Sequence, residues 1–140
     1  MTRINTVDPC ILSDKHLVAE YRELPRVFGL AKAAFYRGEI PADARNPREY
    51  CLGSGHARFF YDKLTFLTYR FDSIVRVMRA RGFKPTHFYV PDGPGSIIWY
   101  GDWTPTDRDH IVNLRRLVER APQHSAYSAV LAILEARNNG

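Results

Sequence analysis

Lys15, Ala19, Arg22 and Arg26 recur at spacings that place them on one face of a helix, so three cations line up along successive turns. The guanidinium of arginine is a planar fork of donors that matches phosphate oxygens. A stripe of this kind suits the gripping of a phosphodiester backbone. It suits a solvated surface equally well, because each close like-charged pair costs only roughly a few tenths of a kcal/mol there. Glu23 stands at the edge of the stripe and, taken alone, reads as a solubilising residue or a surface ion-pair partner. A second basic run holds Arg108, Arg115, Arg116 and Arg120, with Arg116 and Arg120 one helical turn apart. Two such ridges in a small domain favour a nucleic-acid partner.

The remaining chemistry-bearing residues are less pointed. His56 follows the Gly-rich turn Leu52-Gly53-Ser54-Gly55. Those glycines would admit a phosphate, but the spacing of a phosphate-binding loop is missing, and bracing the loop is the better-fitting role. Trp99, Tyr100 and Trp103 offer faces for base stacking, or caps on the core between loops. The five histidines show no paired ligand spacing, so neither a metal nor another cofactor is expected. Cys10 and Cys51 stand far apart with no close partner and read as reduced thiols.

The elements that must carry these residues are helical. A first helix opens at Ser13 or Asp14 and runs an apolar stripe through Leu17, Tyr21, Leu24, Phe28 and Ala31, with Pro25 expected to kink it. A second carries Phe60, Leu64, Leu67, Phe71, Ile74 and Met78 and stops at Gly82. The third is expected to open with Thr104 as cap and Pro105 in its first position, burying Ile111, Leu114, Val118 and Ala121 until Pro122 ends it. A short fourth segment spans Tyr127 to Glu135, and Pro/Gly-rich loops cover roughly residues 38–55 and 84–103. No period-two pattern persists, which predicts an all-α, single domain over residues 1–140. The 45% apolar fraction is that of a globular protein, and the net charge of +5 again favours an anionic partner. No apolar run is long enough to span a bilayer, and Met1-Thr2-Arg3-Ile4-Asn5 lacks the apolar core of a signal peptide. A cytoplasmic monomer, nucleoid-associated through DNA binding, is the expectation.

Several blocks resemble the pyrimidine-dimer DNA glycosylase/AP lyase (endonuclease V) family. They are Thr2-Arg3-Ile4-Asn5, the stretch from His16 through Tyr21-Arg22-Glu23 to Gly29, Gly53-Ser54-Gly55-His56 leading into Phe59 to Leu64, Arg81-Gly82-Phe83, and Gly101-Asp102-Trp103-Thr104-Pro105. The resemblance spans roughly residues 1–121. It implies a compact three-helix fold whose N-terminal segment inserts between helices. It also implies repair of UV-induced dimers in double-stranded DNA, with the Thr2 amine as nucleophile once Met1 is removed, forming a Schiff base. Glu23 is implied as acid/base residue, serving glycosidic cleavage and then strand nicking by β-elimination. Arg3, Arg22 and Arg26 are implied to bind flanking phosphates; Lys15, His16, Arg115, Arg116 and Arg120 complete the expected DNA-binding set.

Three departures from the family pattern stand out: Lys15 in place of the usual glutamine, a tail without the aromatic cluster that keeps only Tyr127, and Ala/Leu-rich residues 122–140. They bear on dimer selectivity rather than on the covalent step. The alternatives are a glycosylase/AP lyase for another lesion and a non-catalytic DNA-binding module retaining the fold. A hydrolase using the Thr2 hydroxyl would call for a precursor cleaved ahead of Thr2, whereas methionine removal suffices for the amine.

Overall fold

The computed structural model describes residues 3–139. Its helices are α1 (Asp14–Glu23), α2 (Pro25–Tyr36), α3 (His56–Phe59), α4 (Leu64–Ala80), α5 (Asp107–Arg120) and α6 (Ser125–Asn139), with short 3-10 turns at Pro9–Ile11 and Ile97–Trp99. Among the described residues there is no strand, only one antiparallel bridge between Lys63 and Tyr100. The all-α class expected from the sequence is the one adopted.

Ser13 is the cap of α1: its Oγ accepts the His16 N–H at 3.2 Å, satisfying one otherwise orphaned donor of the first turn. The expected single kinked helix is instead two helices. Pro25 opens α2 at a first-turn position, where its missing N–H leaves nothing unsatisfied. Leu24 keeps helical dihedrals between them, so the apolar stripe continues and Leu17, Leu24, Phe28 and Ala31 are all buried. Phe60 lies in the turn between α3 and α4, buried but outside either helix. Gly82, at φ +91°, ends α4. Its left-handed backbone lets the Phe83 N–H reach back to the Met78 carbonyl at 2.9 Å.

α5 begins at Thr106, not at Thr104. The Thr106 Oγ1 accepts the Asp109 N–H at 3.2 Å while Asp109 Oδ2 accepts the Thr106 N–H at 2.9 Å. That reciprocal pair outcompetes a cap two residues earlier and leaves Pro105 outside the helix. Ile111, Leu114 and Ala121 are buried as expected, joined by Leu117, whereas Val118 is only partly buried. The tail is also more ordered than expected, forming the 15-residue α6. It docks along α5 with Leu134 buried and through an Arg137–Asp107 pair at 2.7 Å and an Arg115–Glu135 pair at 2.8 Å, while Tyr127 is buried beside Ser13 and His16. α1 lies against α4, and residues 3–7 thread between α1 and α5, as the resemblance implied.

Candidate active site

Residues 3–7 are the key to the site, because every element around them contributes a polar side chain to hold them. The Ile4 N–H donates to His56 Nε2 at 2.8 Å, and Tyr50 donates its hydroxyl to the Ile4 carbonyl at 3.1 Å. Asn113 Oδ1, on α5, accepts the Thr6 N–H at 2.8 Å. The Val7 carbonyl accepts from Arg70 Nη1, on α4, at 2.8 Å. Main-chain groups taken out of water must be paired; here side chains do what a neighbouring strand would do in a sheet.

One buried chain of contacts joins these holders. Asn5 Nδ2 donates to Glu20 Oε1 on α1, and Asn5 Oδ1 accepts from Asn113 Nδ2 on α5, each at 2.8 Å. The Arg70 guanidinium then closes on Glu20 in a two-pronged contact, through Nε to Oε2 and through Nη2 to Oε1. Glu20 is 1% exposed, so its carboxylate relies wholly on these partners. None of Asn5, Glu20, Arg70 and Asn113 was marked as a site residue by sequence. The available signal was position: Glu20 falls within the Leu17–Leu24 apolar stripe, Arg70 beside Phe71, and Asn113 between Ile111 and Leu114.

His56 matches the bracing role read from its loop. Nε2 accepts the Ile4 N–H, so Nδ1 carries the proton and donates to the Cys51 carbonyl at 2.7 Å. Burial pushes its pKa below the usual histidine value, which keeps Nε2 free to accept. Gly55 precedes it at φ +86°, and a Cβ there would lie 2.7 Å from the Pro47 ring. The Gly-rich turn therefore serves close packing. Trp99 is buried and Trp103 packs edge-on against Phe59 and Phe60, so both cap the core.

Above this network opens a cleft of about 460 Å³, lined by Arg3, Asn5, Lys15, His16, Ala19, Glu20, Glu23, Leu117 and Arg120. Of the residues singled out in the sequence, the structure brings Arg3, Lys15, His16, Glu23 and Arg120 together here. Arg116 is close enough to Arg3 to act on it electrostatically. Burial, then Arg116, lower the Arg3 pKa, with Arg120 acting the same way and Glu23 opposing. Burial also lowers the His16 pKa, helped by Lys15. Arg22 and Arg26 lie outside the cleft lining, exposed, with no ion-pair partner among the described residues. Arg115 faces α6 instead and is taken up by Glu135. Tyr127 is 0% exposed and presents no face for stacking. Thr2 falls outside the described residues. No group of three or more His, Cys, Asp or Glu side chains converges as a metal site among the described residues, and no described helix is long and apolar enough to cross a membrane.

A cationic cleft with a carboxylate on its wall, built beside a clamped N-terminal arm, is the site of a protein that works on a polyanion. The chain belongs to the pyrimidine dimer DNA glycosylase family, whose model matches residues 1–89, more than half its length. It is accordingly a DNA-repair glycosylase with DNA as its substrate. The match contains the arm, α1, the Glu20–Arg70 pair and His56, whereas α5 and α6 lie beyond it.

Proposed function

We propose that the protein excises pyrimidine dimers from duplex DNA as a bifunctional glycosylase/AP lyase, with the α-amine of Thr2 as nucleophile. One observation carries this reading. Arg3, the next residue in the chain, is held by the clamped arm on the wall of the same cleft as Glu23. An α-amine titrates near 7.7–8.0, against about 10.4 for lysine, so a usable neutral fraction exists at neutral pH. The cations Arg3, Lys15 and Arg120 on this cleft disfavour a further positive charge and enlarge that fraction.

The neutral amine attacks C1′ of a dimer nucleotide. The glycosidic bond breaks with its electron pair on the base, which takes up a proton. The C1′–O4′ bond then opens with its electron pair on O4′, which takes up the proton that the nitrogen loses, and an imine is left between protein and sugar. Glu23 then removes a C2′ proton, and the electron pair released expels the 3′ phosphate, nicking the strand. Water hydrolyses the imine and frees the amine. Arg3, Arg22, Arg26, Arg116 and Arg120 hold phosphates around the extruded nucleotide.

Lys15 supports a second reading, since it lines the same cleft and carries an ε-amine. Borohydride, which reduces an imine to a stable amine, separates the two. Trapping on UV-irradiated and abasic duplexes is expected to give a covalent complex whose adduct maps to the N-terminal peptide with Met1 absent. An adduct on Lys15 would transfer the role to that residue, and efficient cleavage without a trappable complex would remove the imine route.

A further inference from the structure

The orientation of His16, on the cleft lining, is set from the tail. Its Nδ1 lies 2.7 Å from the hydroxyl of Tyr127 on α6. That hydroxyl also receives the Ser13 N–H at 2.8 Å. A backbone N–H can only donate, so it occupies a lone pair of the Tyr127 oxygen and leaves the phenolic proton to be placed. Two acceptors are in reach: His16 Nδ1 at 2.7 Å and Ser13 Oγ at 3.4 Å, the latter already accepting the His16 N–H. The shorter contact favours His16 Nδ1 as the acceptor of that proton. A neutral imidazole with a bare Nδ1 carries its proton on Nε2. Among the described residues Nε2 has no partner, while the ring itself lines the cleft.

Tyr127 is in turn held rigidly. The His124 ring lies 4.4 Å from its own, and His124 Nε2 donates to the Ile11 carbonyl at 2.8 Å, tying the start of α6 to the segment before α1. Around His16 stand the cations Lys15 on α1, Arg3 on the arm and Arg120 on α5, with the His124 ring ahead of α6 and Glu23 on the cleft wall. Together with burial they keep the ring neutral.

We infer that Tyr127 is a positioning residue for the glycosylase. It locks His16 in the Nε2–H tautomer, so that a neutral ring presents a fixed donor to a sugar oxygen of the extruded nucleotide. The chemistry asks for such a donor. Opening the furanose places negative charge on O4′ as C1′–O4′ breaks, and a preformed N–H aimed at that oxygen stabilises it without reorganisation. The inference rests on the glycosylase reading and extends it to a residue well outside residues 1–89.

Two measurements test it. Nitrogen NMR of the histidine rings at pH 7.5, with His16 assigned from a His16→Ala variant, is expected to show a bare Nδ1 and a protonated Nε2 in the free protein. A protonated Nδ1 would overturn the inference. Single-turnover cleavage of UV-irradiated duplex then follows for wild type, Tyr127→Phe, His16→Ala and the double variant. Tyr127→Phe is expected to slow cleavage on the order of 100-fold with duplex affinity unchanged, and to have no further effect when His16 is already alanine. An unchanged rate, or an equal loss in both backgrounds, would reduce Tyr127 to a packing residue. Wild-type protein that cleaves neither UV-irradiated nor abasic duplex would sink the glycosylase chemistry instead, and the tautomer, read without DNA, would still decide the Tyr127–His16 claim.

Discussion

Arg70→Met tests whether the arm is held by the buried ion pair or merely rests on it. The substitution keeps an unbranched side chain of similar reach but removes both prongs on Glu20 and the donor to the Val7 carbonyl. What remains on Glu20 is the single amide of Asn5 at 2.8 Å, for a carboxylate that is 1% exposed. Breaking a buried pair by deleting one partner costs about 3–5 kcal/mol, a large share of the roughly 5–15 kcal/mol that holds a domain together. For a chain of this size, each kcal/mol moves Tm by about 3–4 °C, so a drop on the order of 10–20 °C is expected at pH 7. The sign of the pH effect discriminates further. Without its guanidinium, buried Glu20 gains by taking up a proton, so the variant recovers part of its stability as pH falls from 7 towards 5. Replacing both partners by apolar residues, Glu20→Leu with Arg70→Met, is expected to recover much of the loss. The assay is thermal and urea unfolding of wild type, single and double variants at pH 7 and 5, beside cleavage at a temperature where all are folded. An Arg70→Met loss below about 1 kcal/mol, or one identical at both pH values, would refute the reasoning.

Two further outcomes are expected. The folded pKa of His56 is lowered by burial, so the stability it confers is present above the ordinary histidine value of 6.5 and is lost as pH falls through the folded value. Stability and cleavage should therefore decline together below about pH 6.5, and unfolding of His56→Gln should lose part of that pH slope; an unchanged slope would dissociate His56 from the arm. Arg22→Ala and Arg26→Ala should each lower the dependence of log affinity on log salt by roughly one unit without lowering Tm, because neither side chain has an ion-pair partner among the described residues; salt titration by fluorescence anisotropy reads this directly, and unchanged slopes would make both residues plain surface.

What the sequence made legible was local. Ser13 and Gly82 act through neighbours within four residues, so their type and position suffice. Thr104 and Thr106 flank the same proline and each has an aspartate three positions on, Asp107 and Asp109, so residue type and spacing do not separate the cap from the bystander. Pro25 was ambiguous for a related reason: a stripe that runs unbroken through it suits a kinked helix or two abutting ones. The cationic residues of the cleft were readable because a dense run of like charge at helical spacing already points to an anionic partner. The arm's clamp was not, since Asn5 meets Glu20 across 15 residues and Asn113 across 108, and no local rule pairs them. A polar residue inside an apolar stripe signals a buried partner but does not name it.

The arm's anchors have a consequence for how the molecule is made. Residues 4–6 are fastened by groups that follow them by 52 positions at His56 and by more than 100 at Asn113. During synthesis the arm emerges long before α5, so it waits unfastened while the helices that will hold it are still being added. Contacts of such separation are formed late, because the loop they close must be ordered first. A chain that stops short of Asn113 can stack Tyr21 on Phe71 and seat Ile4 on His56, yet it leaves the Asn5 Oδ1 and the Thr6 N–H without their Asn113 partners. Full fastening of the arm is thereby tied to the arrival of α5.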